Sequence, residues 1–153
     1  MLTEDDFDAE EMSYSRLLLA VDDDDDESSR KAFNYACTLA RTFDLPLGIV
    51  SVMETGDMNI YQSLSPDIIK SRRDDISHDL NTYVSKAKAF GVKEVTPLIG
   101  EGKPERVILE EIIPDFKPDL ILLGSHRRRG NLRIGHVAST IMRESKVSMI
   151  IVK

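Results

Sequence analysis

The sequence predicts a single-domain α/β protein, a doubly wound five-stranded parallel sheet with helices on both faces. Leu17 to Val21 is a continuous apolar run, typical of a strand covered on both sides, and four further strand-like segments rich in apolar residues alternate with segments of helical periodicity. Glycines and prolines punctuate the junctions. The resulting order, β-α-β-α-β-α-β-α-β, gives every crossover the length that a right-handed parallel connection needs. The 153 residues, 41% of them apolar, suffice for one domain with a sizeable core.

Residues 1 to 15 are acidic with few large apolar side chains, so they are expected to form a disordered or loosely docked leader before a folded domain spanning 16–153. Leu17 to Val21 is the first strand. Ala32, Phe33, Tyr35, Ala36, Leu39 and Ala40 recur at helical spacing up to Phe43, and acidic residues ahead of them complement the helix dipole. Leu45 to Met53 reads as the second strand. Ser65-Pro66-Asp67 opens a long helix with a capping hydroxyl, a proline at the first helical position and a carboxylate in the first turn. Its apolar face is Ile69, Ile76, Leu80, Tyr83, Val84, Ala87 and Phe90, and Gly91 ends it.

Val95 to Ile99 is the third strand. Pro104 starts a helix through Ile113, and Pro114 and Pro118 confine the turn that follows. The fourth strand is Leu120 to Leu123. A helix from about Val137 to Glu144 and a strand from Val147 to Val152 close the chain, and that last strand reads as a sheet edge with apolar character on both faces.

Charge is uneven. Residues 1 to 27 hold twelve Asp or Glu and one Arg, a net of −11, leaving the other 126 residues at +4 within the chain's total of −7. This argues against nucleic-acid binding through overall charge. The first residues lack the basic and apolar regions of a signal peptide, no run reaches the ~20 apolar residues of a membrane span, and the expected location is cytoplasmic. Cys37, the one cysteine, falls in an apolar helical pattern and excludes a disulfide framework.

The chemistry concentrates after the fourth strand, where Gly124-Ser125-His126-Arg127-Arg128-Arg129-Gly130 leads to Gly135-His136-Val137 at a helix start. Backbone amides freed by glycines at a helix N-terminus, beside cationic side chains, suit a phosphate. In sheets of this class ligands bind beyond the carboxyl ends of the strands, which puts Asp22, the loop after Met53 and the Gly124 loop on one rim. Gly130 to Gly135 has Walker A spacing, but His136-Val137 replaces the required Lys and Ser or Thr. Gly100-Glu101-Gly102 begins a dinucleotide fingerprint that Glu105 breaks.

The run Asp22 to Asp26 fails as an EF-hand loop and reads first as a solvated loop before a helix, with Asp22 and Asp24 the candidates for a magnesium ion. His126, His136, Ser125 and Ser139 show no nucleophile-elbow pattern, so no catalytic residue is assigned. The arginine run and the aspartate run, opposite in charge and neighbours on the rim, are expected to pair when no nucleotide is bound.

Val21-Asp22 ending the first strand, Gly102-Lys103-Pro104 before the third helix, Gly124-Ser125-His126 after the fourth strand and Gly135-x-Val137 together resemble the universal stress protein family from about Arg16 to Lys153. The resemblance implies an adenine-nucleotide α-hydrolase-like fold, a homodimer through residues 147–152, and, in ATP-binding members, the pattern G-x-x-G-x9-G-[ST]. By that resemblance Asp22, after Val21, lies near the ribose, and Val52 reads adenine through its backbone. Gly124, Gly135 and Val137 then face the phosphates, with Ser125, His126, Arg127, Gly130 and His136 completing the loop. Arg127 stands where the second glycine belongs, ten residues rather than twelve separate Gly124 from Gly135, and His136 replaces the small hydroxyl residue.

The implied function is a stress-responsive regulator that binds ATP or another adenine nucleotide, with Mg2+ as a possible companion, and lacks dedicated catalysis beyond slow ATP hydrolysis. The alternatives are a dimeric interaction protein of the same fold without nucleotide and an adenylyl transferase. Ile134-Gly135-His136 superficially resembles the transferase His-x-Gly-His signature, which belongs after the first strand.

Overall fold

The computed structural model describes residues 1–22, 27–55, 65–125 and 133–153, the last segment with backbone alone at Arg133 and Ile134. Five parallel strands form one sheet in the order β3-β2-β1-β4-β5. They are β1 (Leu17–Val21), β2 (Leu47–Met53), β3 (Val95–Glu101), β4 (Leu120–Gly124) and β5 (Ser148–Val152). Leu17 stands opposite Leu47 on one side and Leu120 on the other, so the chain winds outward from β1 in both directions. The strand order reverses between β1 and β4, the place where sheets of this type open a crevice at their carboxyl ends.

Helices α1 (Glu27–Phe43) and α2 (Pro66–Phe90) cover one face. Ala32, Ala36 and Ala40, with Cys37, give α1 a stripe of small side chains, and it packs on Leu17, Leu19, Leu120 and Leu122. Burial pushes the Cys37 thiol up to about 11. The other face carries α3 (residues 104–116) and α4 (Arg133–Glu144), which pack on Leu18, Val50, Ile121 and Leu123. The central strands are buried along nearly their whole length, which is why they read as dominantly apolar, with Ser51 the polar exception.

Helix boundaries differ from the sequence expectation in instructive ways. Ser65 occupies the cap of α2 in an extended conformation and Pro66 follows it, but the Ser65 hydroxyl makes no capping bond; the Ser65 carbonyl accepts from Ile69 instead. Gly91 ends α2 at φ 115°, with its N–H donating to Lys88 and that of Val92 to Ala87. Phe90 turns outward beneath the Arg41 guanidinium, 3.9 Å from the ring centre. Helix α3 begins at Pro104–Val107, widens into a π-helical turn at Ile108–Ile112 and continues through Ile113–Phe116, past the expected stop at Pro114. The wide turn directly precedes that proline, which has no N–H and whose ring would clash with a regular α-turn.

Helix α4 starts at Arg133 rather than Val137, so Gly135 and His136 belong to its first turns. The leader forms no helix or strand, and residues 1–13 are exposed. Tyr14 packs against the core, and the Asp119 carboxylate accepts the N–H groups of Ser15 and Arg16 at 2.7 and 2.9 Å. No described helix is long and apolar enough to cross a membrane.

Candidate functional site

A crevice of about 90 Å³ opens at the strand-order reversal. Ala20, Val21 and Asp22 at the end of β1, Val50 and Val52 on β2, and Leu123 and Gly124 on β4 form its base. The alternation of β2 explains the choice of residues: Val50 and Val52 face α3 and α4, whereas Ile49 and Met53 face α1 and α2. Pro104 and Ile108 of α3 and Val137 and Ala138 of α4 wall it, with Ser29 from α1 and Glu54 beyond β2.

Two glycines bring α3 to this position. A Cβ on Gly100 would come within 2.3 Å of Val107, so only glycine lets α3 lie this close to the sheet. Gly102 turns the chain at φ 132° and donates its N–H to the Met53 carbonyl at 3.0 Å, fastening the α3 start to the end of β2. Arg106 then joins α3 to α4 through Glu144, and reaches Glu110 at 3.1 Å; these carboxylates raise its pKa further.

Of the residues singled out in the sequence, Val21, Asp22, Val52, Gly124 and Val137 line this crevice. Ser125 does not, and its N–H donates to Val152 at 2.8 Å, extending the β4–β5 ladder. Gly135 is exposed, with nothing within 4 Å of where its Cβ would stand. His136 lies instead in the groove between α3 and α4, its Nε2 3.6 Å from Glu105. His126, Arg127 and Gly130, the pairing of the arginine and aspartate runs, and Asp24 fall outside the described residues. Among the described residues no three His, Cys, Asp or Glu gather as a metal site.

Sequence reading missed Ala20, Ser29, Val50, Glu54, Pro104, Ile108, Leu123 and Ala138. For Val50 the period-two pattern from Val52 was the available signal. Among the described residues the lining carries two carboxylates, Asp22 and Glu54, and no cation, so it is an apolar chamber with an acidic lip. Such a chamber suits a neutral ring bearing hydroxyls.

A sequence profile of the universal stress protein family matches residues 13–153. A Staphylococcus aureus (strain USA300) protein carrying the universal stress protein name is 26% identical over 144 residues, covering 93% of this chain and 86% of its own length. The fold is that of a universal stress protein solved in complex with cAMP (TM-score 0.65, 22% identity, 93% of this chain and 99% of that one). It is equally that of an Archaeoglobus fulgidus universal stress protein in complex with dAMP (TM-score 0.62, 19% identity, 93% and 100%). With the profile running from just ahead of β1 to the last residue, the chain belongs to the universal stress protein family.

Proposed function

We propose that this protein is a universal stress regulator that binds an adenine nucleotide in the crevice at the strand-order reversal. The observation that carries this reading is the convergence there of Asp22, Val52, Gly124 and Val137 from four separate elements. The base lies between Val52 and the α3 start, the ribose hydroxyls reach the Asp22 carboxylate, and the phosphates run toward the α4 N-terminus, whose unpaired amides attract anions. At about 90 Å³ the crevice seats only part of a nucleotide, and the rest extends along the open rim. The cAMP and dAMP bound by the two relatives above support an adenine ligand. If Mg2+ accompanies a triphosphate, Asp22 is the described carboxylate on the crevice lip beside the β1 end.

The partner is a second copy joined through β5, in the cytoplasm. β5 is one edge of the sheet, and Ile151 on it is 43% exposed. The opposite edge, β3, contains Pro97, and a proline tolerated in a sheet is one whose missing N–H points away from its neighbour, here to the outer edge. That edge is blunted, while β5 is bare.

Isothermal titration with ATP, ADP and AMP, with and without magnesium, tests the reading. Saturable binding that Asp22→Ala weakens about tenfold supports it, on the scale of one lost hydrogen bond to a charged group. Absence of binding to all three, with the dimer retained, favours the interaction protein without nucleotide, a reading to which the two lining carboxylates lend weight.

A further inference from the structure

On the other face of the sheet, behind the same strand ends, α1 and α2 flank a cavity of about 480 Å³. This volume falls within the range of small-molecule sites. Val21 and Ser51, partners in the β1–β2 register, form its base beside Ile76 and Leu80. Phe33 from α1 and Tyr83 from α2 meet edge to face above them, with ring centres 5.1 Å apart.

Ser51 is the one polar residue in the otherwise apolar stretch Ile49 to Met53. It is 4% exposed and lines the cavity. As a lining residue Ser51 presents the cavity with a hydroxyl, a group that can both donate and accept a hydrogen bond. The charged residues of the lining balance, Asp22 and Asp79 against Arg30 and Lys86, so an ionic ligand gains no net attraction.

We propose that this cavity is a second ligand site, for an uncharged fused-ring aromatic compound carrying a hydroxyl or ring N–H. The ring system packs on Val21, Ile76, Leu80 and the aromatic pair, and its polar tip exchanges a hydrogen bond with Ser51 Oγ. Val21 and Asp22 line both this cavity and the crevice, but Ser51 and Val52 point to opposite faces of β2, so binding here does not rest on the nucleotide reading.

The test is fluorescence titration of the full chain with 2-naphthol. Saturable binding of one molecule per chain is expected, weakened about fivefold by Ser51→Ala, which removes one neutral hydrogen bond. Asn34→Trp, at an exposed position of α1 on the cavity wall, is expected to abolish binding while leaving the urea unfolding midpoint in place. Failure to saturate, equal affinity in the wild type and both variants, tighter binding of 2-naphthoate than of 2-naphthol, or competitive displacement by ATP each overturns the proposal.

Discussion

Gly124 touches the main chain of Ser28: a Cβ placed on it would stand 2.9 Å from both the carbonyl carbon and the carbonyl oxygen of that residue. The end of β4 and the first turn of α1 are therefore in direct backbone contact, and packing by itself requires this glycine. Gly135 is the opposite case, a helical glycine with no neighbour to exclude a side chain. Gly124→Ala is expected to lower the unfolding free energy by about 1–3 kcal/mol, as overpacking does. Gly135→Ala is expected to raise it by roughly 0.5–1 kcal/mol, the gain of alanine over glycine inside a helix. Urea denaturation of the two variants reads the contrast, and loss of ATP affinity in the stabilised Gly135 variant would mark that backbone as a ligand contact.

Thr140 sits on α4 with its hydroxyl buried and unpaired among the described residues. Thr140→Val keeps the β-branched shape and removes the orphaned group, so it is expected to stabilise the fold by about 1 kcal/mol. A urea midpoint unchanged or lower than wild type would show that the hydroxyl has a partner in solution.

The proposed dimer gives a sharp test at β5. Ile150 packs against the α1 face of the core, whereas Ile151 is exposed, so Ile151→Lys perturbs the edge without entering the core. Light scattering after gel filtration should find monomers for this variant and dimers for the wild type, with unchanged far-ultraviolet circular dichroism. A Pro97→Thr variant should leave the dimer as it is, since β3 takes no part.

Cys37 offers a pH-dependent readout. Its folded pKa, raised by burial from an ordinary 9.0 to about 11, means that the folded state holds the thiol proton more tightly than the unfolded chain. The stability so contributed is fully present below pH 9.0 and is lost as pH rises toward about 11. Cys37→Ala should flatten this alkaline slope of stability, and iodoacetamide should modify Cys37 in urea but not in the native protein at neutral pH.

The elements whose signal is local were legible in the sequence. β1 spans Leu17–Val21 as its apolar run dictates, and Gly91 ends α2 as an αL cap should. The exceptions share a form, in which the helix itself runs past the point where a local signal would end or begin it. Pro114 reads as a helix stop, yet the π-turn before it carries α3 on to Phe116. His136 reads as part of a phosphate loop, yet the earlier start of α4 turns it to the α3 side, beside Glu105. The crevice was half legible, because Asp22 follows β1, Val52 lies next to the end of β2 and Gly124 ends β4. The Ser51 cavity was not, since its walls at Phe33 and Tyr83 are fifty residues apart and meet only once α1 and α2 lie on one face.

The Asp119 carboxylate, by gathering the amides of Ser15 and Arg16, fixes where the acidic leader leaves the body: at the pole of the sheet where strands begin, diametrically away from the crevice. A fluorophore, affinity handle or surface tether attached at Ser15 therefore sits on the far side of the molecule. Immobilised at that point, the protein should keep its ligand-facing rim turned freely toward solvent.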